Sequence, residues 1–79
     1  PEIVRWVASH VLPAEPGVRA WLRRQGVGPA DADDLIQDAY CRIAALPSVA
    51  HIERPHAYLM QVVRNLWLEQ LRRQRIVRF

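Results

Sequence analysis

The sequence predicts an all-α fold: a compact bundle of three to four helices that ends in a long C-terminal helix. Apolar residues recur at three- and four-residue spacing in four segments, which is the period of one face of a helix. Prolines and glycines separate these segments at positions that suit the starts and ends of helices. The alternation of apolar and polar residues that is typical of a half-buried strand is nowhere long enough to form a sheet.

The chain of 79 residues is expected to form one domain with a small core, but its 51% hydrophobic content predicts that it folds. A single cysteine, Cys41, permits no internal disulfide, so we expect a cytoplasmic location. No apolar run approaches the roughly 20 residues of a membrane span, and no membrane insertion is expected. The chain opens on Pro1 without a methionine and ends after an arginine-rich run, which indicates a piece of a longer protein.

The first two helices are predicted to be short. Residues 2–12 carry a helical pattern of Ile3, Trp6, Val7, His10 and Val11. After a break at residues 13–15, Pro16 suits the first position of a second helix. One side of that helix holds Val18, Trp21 and Leu22, and another holds Arg19, Arg23 and Arg24. Gly26 and Gly28 are expected to end it, because glycine accepts the left-handed conformation that follows many helices.

The third helix is predicted to begin at Pro29 and to run to about Leu46. One arc holds the expected core residues Leu35, Ile36, Ala39, Tyr40, Ile43 and Leu46. The opposite arc holds Asp31, Asp34, Gln37, Asp38, Cys41 and Ala45, with only Arg42 close by to neutralise its carboxylates. This second arc is either a solvated face with acids near a helix N-terminus or a docking face for a basic partner.

Residues 47–54 (PSVAHIER) are predicted to form a loop, and Pro55 begins the final helix. Its expected core arc holds Leu59, Val62, Val63, Leu66 and Trp67. The other side holds Gln61, Arg64, Asn65, Leu68, Arg72 and Arg75. Cations mixed with amides suit contacts to phosphates and base edges, although arginines that only keep the helix solvated would give the same pattern.

Charge is unevenly placed along the chain, although the net charge is only +3. Residues 31–38 contain four acids and no base, whereas residues 61–79 contain five arginines and one acid. All eleven basic residues are arginine, which suits bidentate contacts to phosphate or carboxylate. The domain is therefore expected to be electrostatically polarised.

Residues that could support catalysis or metal binding are not suitably spaced. His51 and His56, with His10 and Cys41 in other segments, match no known spacing of metal ligands. The aspartates of the third helix lack the glycine-punctuated calcium loop. No nucleophile, glycine-rich phosphate loop or paired acid and base is present. We expect no metal, no cofactor and no enzyme activity.

Three stretches taken together, DADDLIQDAYCRI, IERPHAYL and VVRNLWLEQLRRQR, resemble region 2 of bacterial sigma factors. The resemblance is to the small extracytoplasmic-function group, including its iron-citrate-regulator-like branch, and covers about residues 16–79. It rests on the joint pattern of an Asp-Leu-x-Gln-Asp helix, a Pro-x-x-Tyr-Leu helix start, an Arg-Asn pair and an arginine cluster. It implies that residues 1–79 form one sigma region 2-like domain of a longer factor whose region 4 is absent here.

The resemblance implies a function in transcription initiation. In that family the acidic helix docks on the clamp helices of the β′ subunit of RNA polymerase. Carried onto this chain, the contact residues are Asp34, Gln37 and Asp38, with Leu35 pinning the helix from behind and Arg42 at the margin. An anti-sigma factor that covers the same surfaces is a further partner that the resemblance allows.

The resemblance also implies contacts with promoter DNA. The loop before the last helix captures a base flipped from the non-template strand of the −10 element, and that helix reads and separates the element. The loop positions are Val49, His51, Ile52 and Arg54, and the helix positions are Gln61, Arg64, Asn65, Leu68, Arg72, Arg73 and Arg75.

This sequence departs from the family pattern at two places. Cys41 stands where the family usually has a large apolar residue, and Tyr40 or Ile43 is expected to fill that space. The loop is short and contains no aromatic side chain that could stack on a flipped base.

Two other functions remain open from the sequence. One is a helix-turn-helix-type domain that inserts its last helix into the major groove of duplex DNA. The other is a helical protein-interaction module whose cationic side meets an acidic partner.

Overall fold

The computed structural model describes residues 2–77 of the chain, and the side chains of residues 2–74. Four α-helices are present in this part: α1 (Glu2–Trp6), α2 (Glu15–Arg24), α3 (Pro29–Ala44) and α4 (Pro55–Val77). A π-helical turn (Val7–Val11) and a 3-10 turn (Leu12–Ala14) connect α1 to α2. The described residues contain no strand, so the all-α prediction is confirmed.

The N-terminal segment departs from the single amphipathic helix that was predicted for residues 2–12. It is α-helical only to Trp6 and then widens into the π-helical turn, in which Leu12 donates its backbone N–H to the carbonyl of Val7. Pro13 explains why an α-helix cannot continue, because proline has no N–H and its ring collides with the carbonyl four residues earlier. Of the predicted apolar face, only Val11 is fully buried.

Gly26 ends α2 in the left-handed conformation, with φ of 87°. Its N–H donates to the carbonyl of Arg23, and the N–H of Val27 donates to that of Leu22, both at 3.0 Å. This pair of bonds is a Schellman motif. Gly28 differs from the prediction: its φ is −70°, and it is the N-cap residue of α3, so it begins a helix and does not end one.

The core is formed by residues from α2, α3, α4 and the two turns before α2, whereas α1 contributes no fully buried residue. Its buried members are Val11, Ala14, Val18, Leu22, Ala32, Leu35, Ile36, Ala39, Ile43, Leu59, Val63 and Leu66. The predicted core arcs of α3 and α4 are confirmed, although Tyr40, Leu46, Val62 and Trp67 are only partly buried. Ile43 is buried in the core, whereas the Cys41 side chain is exposed on another side of α3. The α-helix ends at Ala44, so Leu46 lies in the following turn.

Helix α4 packs along α3 and reaches α2 through two tryptophans. The rings of Trp21 and Trp67 meet edge to face, with centroids 5.4 Å apart and an interplanar angle of 87°. At 1.5 Å per residue, the 23 residues of α4 span about 35 Å, which is longer than the bundle can cover. The residues 70–74 near its end are therefore exposed. Within the described residues, no helix is both long enough and apolar enough to cross a bilayer.

Candidate functional site

An acidic surface lies on α3, formed by Asp31, Asp34, Gln37 and Asp38. All four side chains are exposed, and their three- and four-residue spacing places them on one face of the helix. Among the described residues, Asp31 and Asp34 have no ion-pair partner. Asp38 lies 3.8 Å from Nε of Arg42, one turn further along the helix. Such an exposed pair contributes at most about 1 kcal/mol, so this surface keeps its negative charge for an external partner.

Leu35 lies behind the acidic surface and is 2% exposed. It packs in the core with Ile36 and Ala39 of the same helix. Leu35 therefore supports the acidic surface without being available for contact itself.

A polar network that the sequence did not reveal ties α2 to α3. Tyr40 donates a 2.6 Å hydrogen bond from its hydroxyl to Oε1 of Glu15, and Arg19 donates from Nε to Oε2 of Glu15 at 2.9 Å. Arg19 also forms an ion pair with Asp33 through Nη1. Arg42 is thus not the only base near the acids of α3. The four-residue spacing of Glu15 and Arg19 is typical of an ion pair on one helix face. Their partners on α3, Tyr40 and Asp33, depend on how the two helices pack.

The network shifts the titration of three of its members, and the bonds to Glu15 and then Asp33 raise the pKa of the Arg19 guanidinium. The hydrogen bonds from Tyr40 and then Arg19 lower the pKa of the Glu15 carboxyl, because they stabilise its charged form. Burial, followed by the nearby Glu15 carboxylate, raises the pKa of the Tyr40 hydroxyl. Glu15 is therefore an anion at neutral pH, and Tyr40 is its neutral donor.

A basic surface lies on α4, formed by Gln61, Arg64, Asn65 and Arg72. These four side chains are exposed and share one side of the helix with the half-buried Leu68. Among the described residues, neither Arg64 nor Arg72 forms an ion pair. Their guanidinium groups are therefore available to phosphates.

One of the predicted DNA-binding residues, Arg73, lies beside this surface on the helix. Arg73 follows Arg72 by one residue and is therefore turned about 100° away from it. Its Nη2 lies 4.0 Å from Oε1 of Glu69, on a different side of the helix. The side chain of Arg75 lies outside the described residues.

The loop before α4 is held by its own hydrogen bonds. Ile52 donates its N–H to the carbonyl of Val49 at 3.0 Å, and the N–H of Ala50 donates to Oγ of Ser48 at 3.1 Å. The His51 ring lies edge to face on Tyr58, with centroids 6.2 Å apart. These contacts give the loop a defined shape without an extended backbone ladder.

Two clefts flank this loop, and the predicted loop residues divide between them. A cleft of about 260 Å³ is lined by His51, Ile52, Glu53, Arg54, Ala57, Tyr58 and Gln61. It brings three of the predicted loop residues, His51, Ile52 and Arg54, next to Gln61 of the basic surface. Val49 lines a second cleft of about 800 Å³, and Ile52 lines both. The opposite wall of the larger cleft comes from α1 and the π-helical turn, which sequence reasoning did not connect with the loop.

Arg42 of α3 lies across a groove from the basic surface. A groove of about 270 Å³ between α3 and α4 is lined by both Arg42 and Asn65. Arg42 lies between this groove and Asp38 of the acidic surface. In the part of the chain that the structure describes, no three His, Cys, Asp or Glu residues are grouped in a way that could hold a metal ion.

Comparison with known protein families gives one match. The family model for sigma-70 region 2 matches residues 11–76, which include α2, α3 and nearly all of α4. No curated protein and no solved structure matches the chain.

Proposed function

The chain belongs to the sigma-70 region 2 family, and on this premise we propose that it docks on RNA polymerase through α3 and holds an opened promoter strand on α4. Domains of this family belong to sigma factors, which act in transcription initiation and are not enzymes. The observation that carries the proposal is the presence of two oppositely charged surfaces, on adjacent helices, that share one apolar core.

The proposed polymerase contact is the acidic surface, with Asp34, Gln37 and Asp38 facing the clamp helices of β′. Three features support it. The carboxylates are exposed, and Leu35 anchors the helix in the core. The ion pair between Asp38 and Arg42 is long, at 3.8 Å. A rigid helix presents its charges at fixed positions, so less conformational entropy is lost on binding. Arg42, at the margin, would meet an acidic or polar group of the partner.

The proposed DNA contact is the basic surface together with the loop. Arg64 and Arg72 supply salt-sensitive phosphate affinity, and Gln61 and Asn65 supply amide groups for base edges. Leu68, half-buried between them, offers an apolar contact at the same level of the helix. Arg73 and Arg75 would add further positive charge near the end of α4.

We further propose that the domain recognises and melts the −10 element by capturing a base of the non-template strand at the loop. Unstacking and unpairing one base costs a few kcal/mol, which a pocket for the extruded base offsets. Loop residues His51, Ile52 and Arg54 share a cleft with Gln61 of α4, so the loop adjoins the surface proposed to bind the strand.

The finer classification is also a proposal. The motifs point to a cytoplasmic, extracytoplasmic-function sigma factor of the iron-citrate-regulator-like branch, of which residues 1–79 are one domain. Its acidic and basic surfaces would also suit an anti-sigma factor, since a protein that covers either surface would block transcription initiation.

A comparison of single-stranded with duplex DNA tests the DNA part of the proposal. Fluorescence polarisation would be measured with a labelled random-sequence 12-mer as a single strand and as a duplex with its complements. We expect the single strand to bind more tightly. Tighter binding of the duplex would instead favour a helix-turn-helix-type domain that reads an intact major groove.

A further inference from the structure

The larger cleft beside the loop contains an aromatic pair that comes from the other end of the chain. The rings of Trp6 and His10 are stacked, with centroids 5.3 Å apart and an interplanar angle of 18°. Both residues line the cleft of about 800 Å³. His10 is exposed, and Trp6 is partly buried against the core. The pair therefore combines an anchored ring with one that is accessible from solvent.

The local backbone holds these two rings together. Trp6 ends α1, and His10 lies within the π-helical turn that follows. Nδ1 of His10 lies 3.1 Å from the carbonyl oxygen of Trp6, which accepts a hydrogen bond from it. This bond orients the imidazole ring over the neighbouring turn. Single π-helical turns within helices occur frequently at functional sites.

Most of the remaining lining matches the chemistry of a nucleotide, and Glu2 adds a carboxylate next to it. Val49 and Ile52 of the loop provide apolar surface opposite the aromatic pair, and Arg5 provides a cation at the edge. Ser9 and Ser48 add hydroxyl groups that can bond to a heterocycle. An aromatic face, an apolar wall and a nearby guanidinium together suit an unpaired base that remains attached to its phosphates.

We propose that Trp6 and His10 form the stacking wall of the site for the extruded base, and that the loop forms only the facing wall. This inference rests on the proposed function, and it deepens it by naming side chains that the family match does not include, since the match begins at residue 11. The one aromatic ring of the loop, His51, lies edge to face on Tyr58 and does not line this cleft, so the aromatic surface here is supplied by the first helical segment.

The test compares a base-containing strand with one that has the same phosphates but no bases. Fluorescence polarisation would be measured with a labelled random-sequence single-stranded 12-mer and with its fully abasic counterpart. We expect His10→Ala and Trp6→Leu each to weaken binding of the base-containing strand by roughly 5- to 100-fold, the range for losing one stacked base. Binding of the abasic strand should be unchanged.

Two further variants separate stacking from a structural effect. His10→Tyr keeps an aromatic ring and is expected to retain binding of the base-containing strand. His56→Ala removes a second exposed histidine that does not line the cleft, and it should bind like the wild type. Trp6 packs against the core, so Trp6→Leu could unfold the domain. A thermal melt must first show that this variant is folded, and only then is its DNA binding compared with that of the wild type.

The outcomes distinguish this inference from the function on which it rests. If the wild type prefers the base-containing strand but His10→Ala and a folded Trp6→Leu bind it equally well, the stacking wall is wrong and the proposed function stands. If the wild type binds both strands equally, or binds neither, the proposed capture of a base is itself overturned.

Discussion

The hydroxyl of Tyr40 donates a 2.6 Å hydrogen bond to the carboxylate of Glu15, which joins α3 to α2. The same carboxylate accepts a hydrogen bond from Arg19, which also pairs with Asp33. One acid of α3 is thus bound within the domain, while Asp34 and Asp38 remain exposed on the acidic surface. The network fixes the orientation of the helix that carries the proposed polymerase contact.

Removing the Tyr40 hydroxyl should destabilise the domain in a pH-dependent way. Tyr40→Phe deletes a partly exposed hydrogen bond to a charged acceptor, and we expect it to lower the free energy of unfolding by about 1.5 kcal/mol at neutral pH. The folded-state pKa of Glu15 is lowered, so its contribution is present above the ordinary value of 4.5 and is lost as the pH falls through the folded-state pKa. Urea denaturation of both proteins across this range measures the difference. A difference that stays the same in strong acid would contradict the role of the ionised carboxylate.

The two tryptophans that join α2 and α4 should be energetically coupled. Trp67→Ala is expected to cost about 3 kcal/mol, the low end for a buried tryptophan, because Trp67 is only partly buried. In a double-mutant cycle with Trp21→Ala, the edge-to-face contact should give a coupling energy of about 0.5–1.5 kcal/mol. Chemical denaturation of the four proteins tests this. If the losses in unfolding free energy of the two single variants simply add up in the double variant, the rings do not stabilise each other.

Replacing Gly26 or Gly17 with alanine should change the stability of the domain in opposite directions. Gly26→Ala should cost about 1 kcal/mol, because an alanine side chain disfavours the positive φ of 87° that this turn requires. Gly17 lies inside α2, and a Cβ there would have nothing within 4 Å. Gly17→Ala should therefore stabilise the domain by about 0.5–1 kcal/mol. Thermal melts compare the two variants, and the same sign for both would argue against the left-handed end of α2.

Arginines of the basic surface should set the salt dependence of DNA binding. Arg64→Ala and Arg72→Ala are each expected to reduce the slope of log affinity against log salt by about 0.7, the value for one phosphate contact on a single strand. Arg23→Ala on α2 is the matched control, since it removes an exposed arginine from another helix. Titrations at several salt concentrations measure the slope. If Arg23→Ala changes the slope as much as Arg64→Ala, binding depends on net charge alone.

Much of the fold could be predicted from the sequence because its signals are local. Pro29 and Pro55 begin helices where predicted, and helical periodicity separated the core residues of α3 from Asp34, Gln37 and Asp38. Gly28 was misinterpreted because a glycine before a proline can serve as an N-cap as well as a helix end. Likewise, the wide turn before Pro13 was missed, since apolar spacing alone does not distinguish an α-helix from a π-helical turn.

The parts of the site that sequence reasoning missed depend on tertiary packing. Tyr40 and Glu15 are far apart in the chain, and nothing in their local patterns pairs them. The sequence pattern predicts only that Trp6 and His10 share a helix face. Their place in one cleft with Val49 follows from the packing of α1 beside the loop. Arg73 follows Arg72 by one helical residue, so its ion pair with Glu69 is also a feature that depends on the helix and not on composition.

The most direct test of the account asks whether the two charged surfaces act separately. One protein carries Asp34→Asn with Asp38→Asn, and the other carries Arg64→Ala with Arg72→Ala. For each, calorimetry would measure binding to the isolated β′ clamp helices, and polarisation would measure binding to single-stranded DNA. We expect the first protein to lose at least about tenfold in affinity for the clamp helices while keeping or gaining DNA affinity, and the second to show the reverse. Equal losses for both ligands in both proteins would contradict the separation of the surfaces on which the proposed function depends.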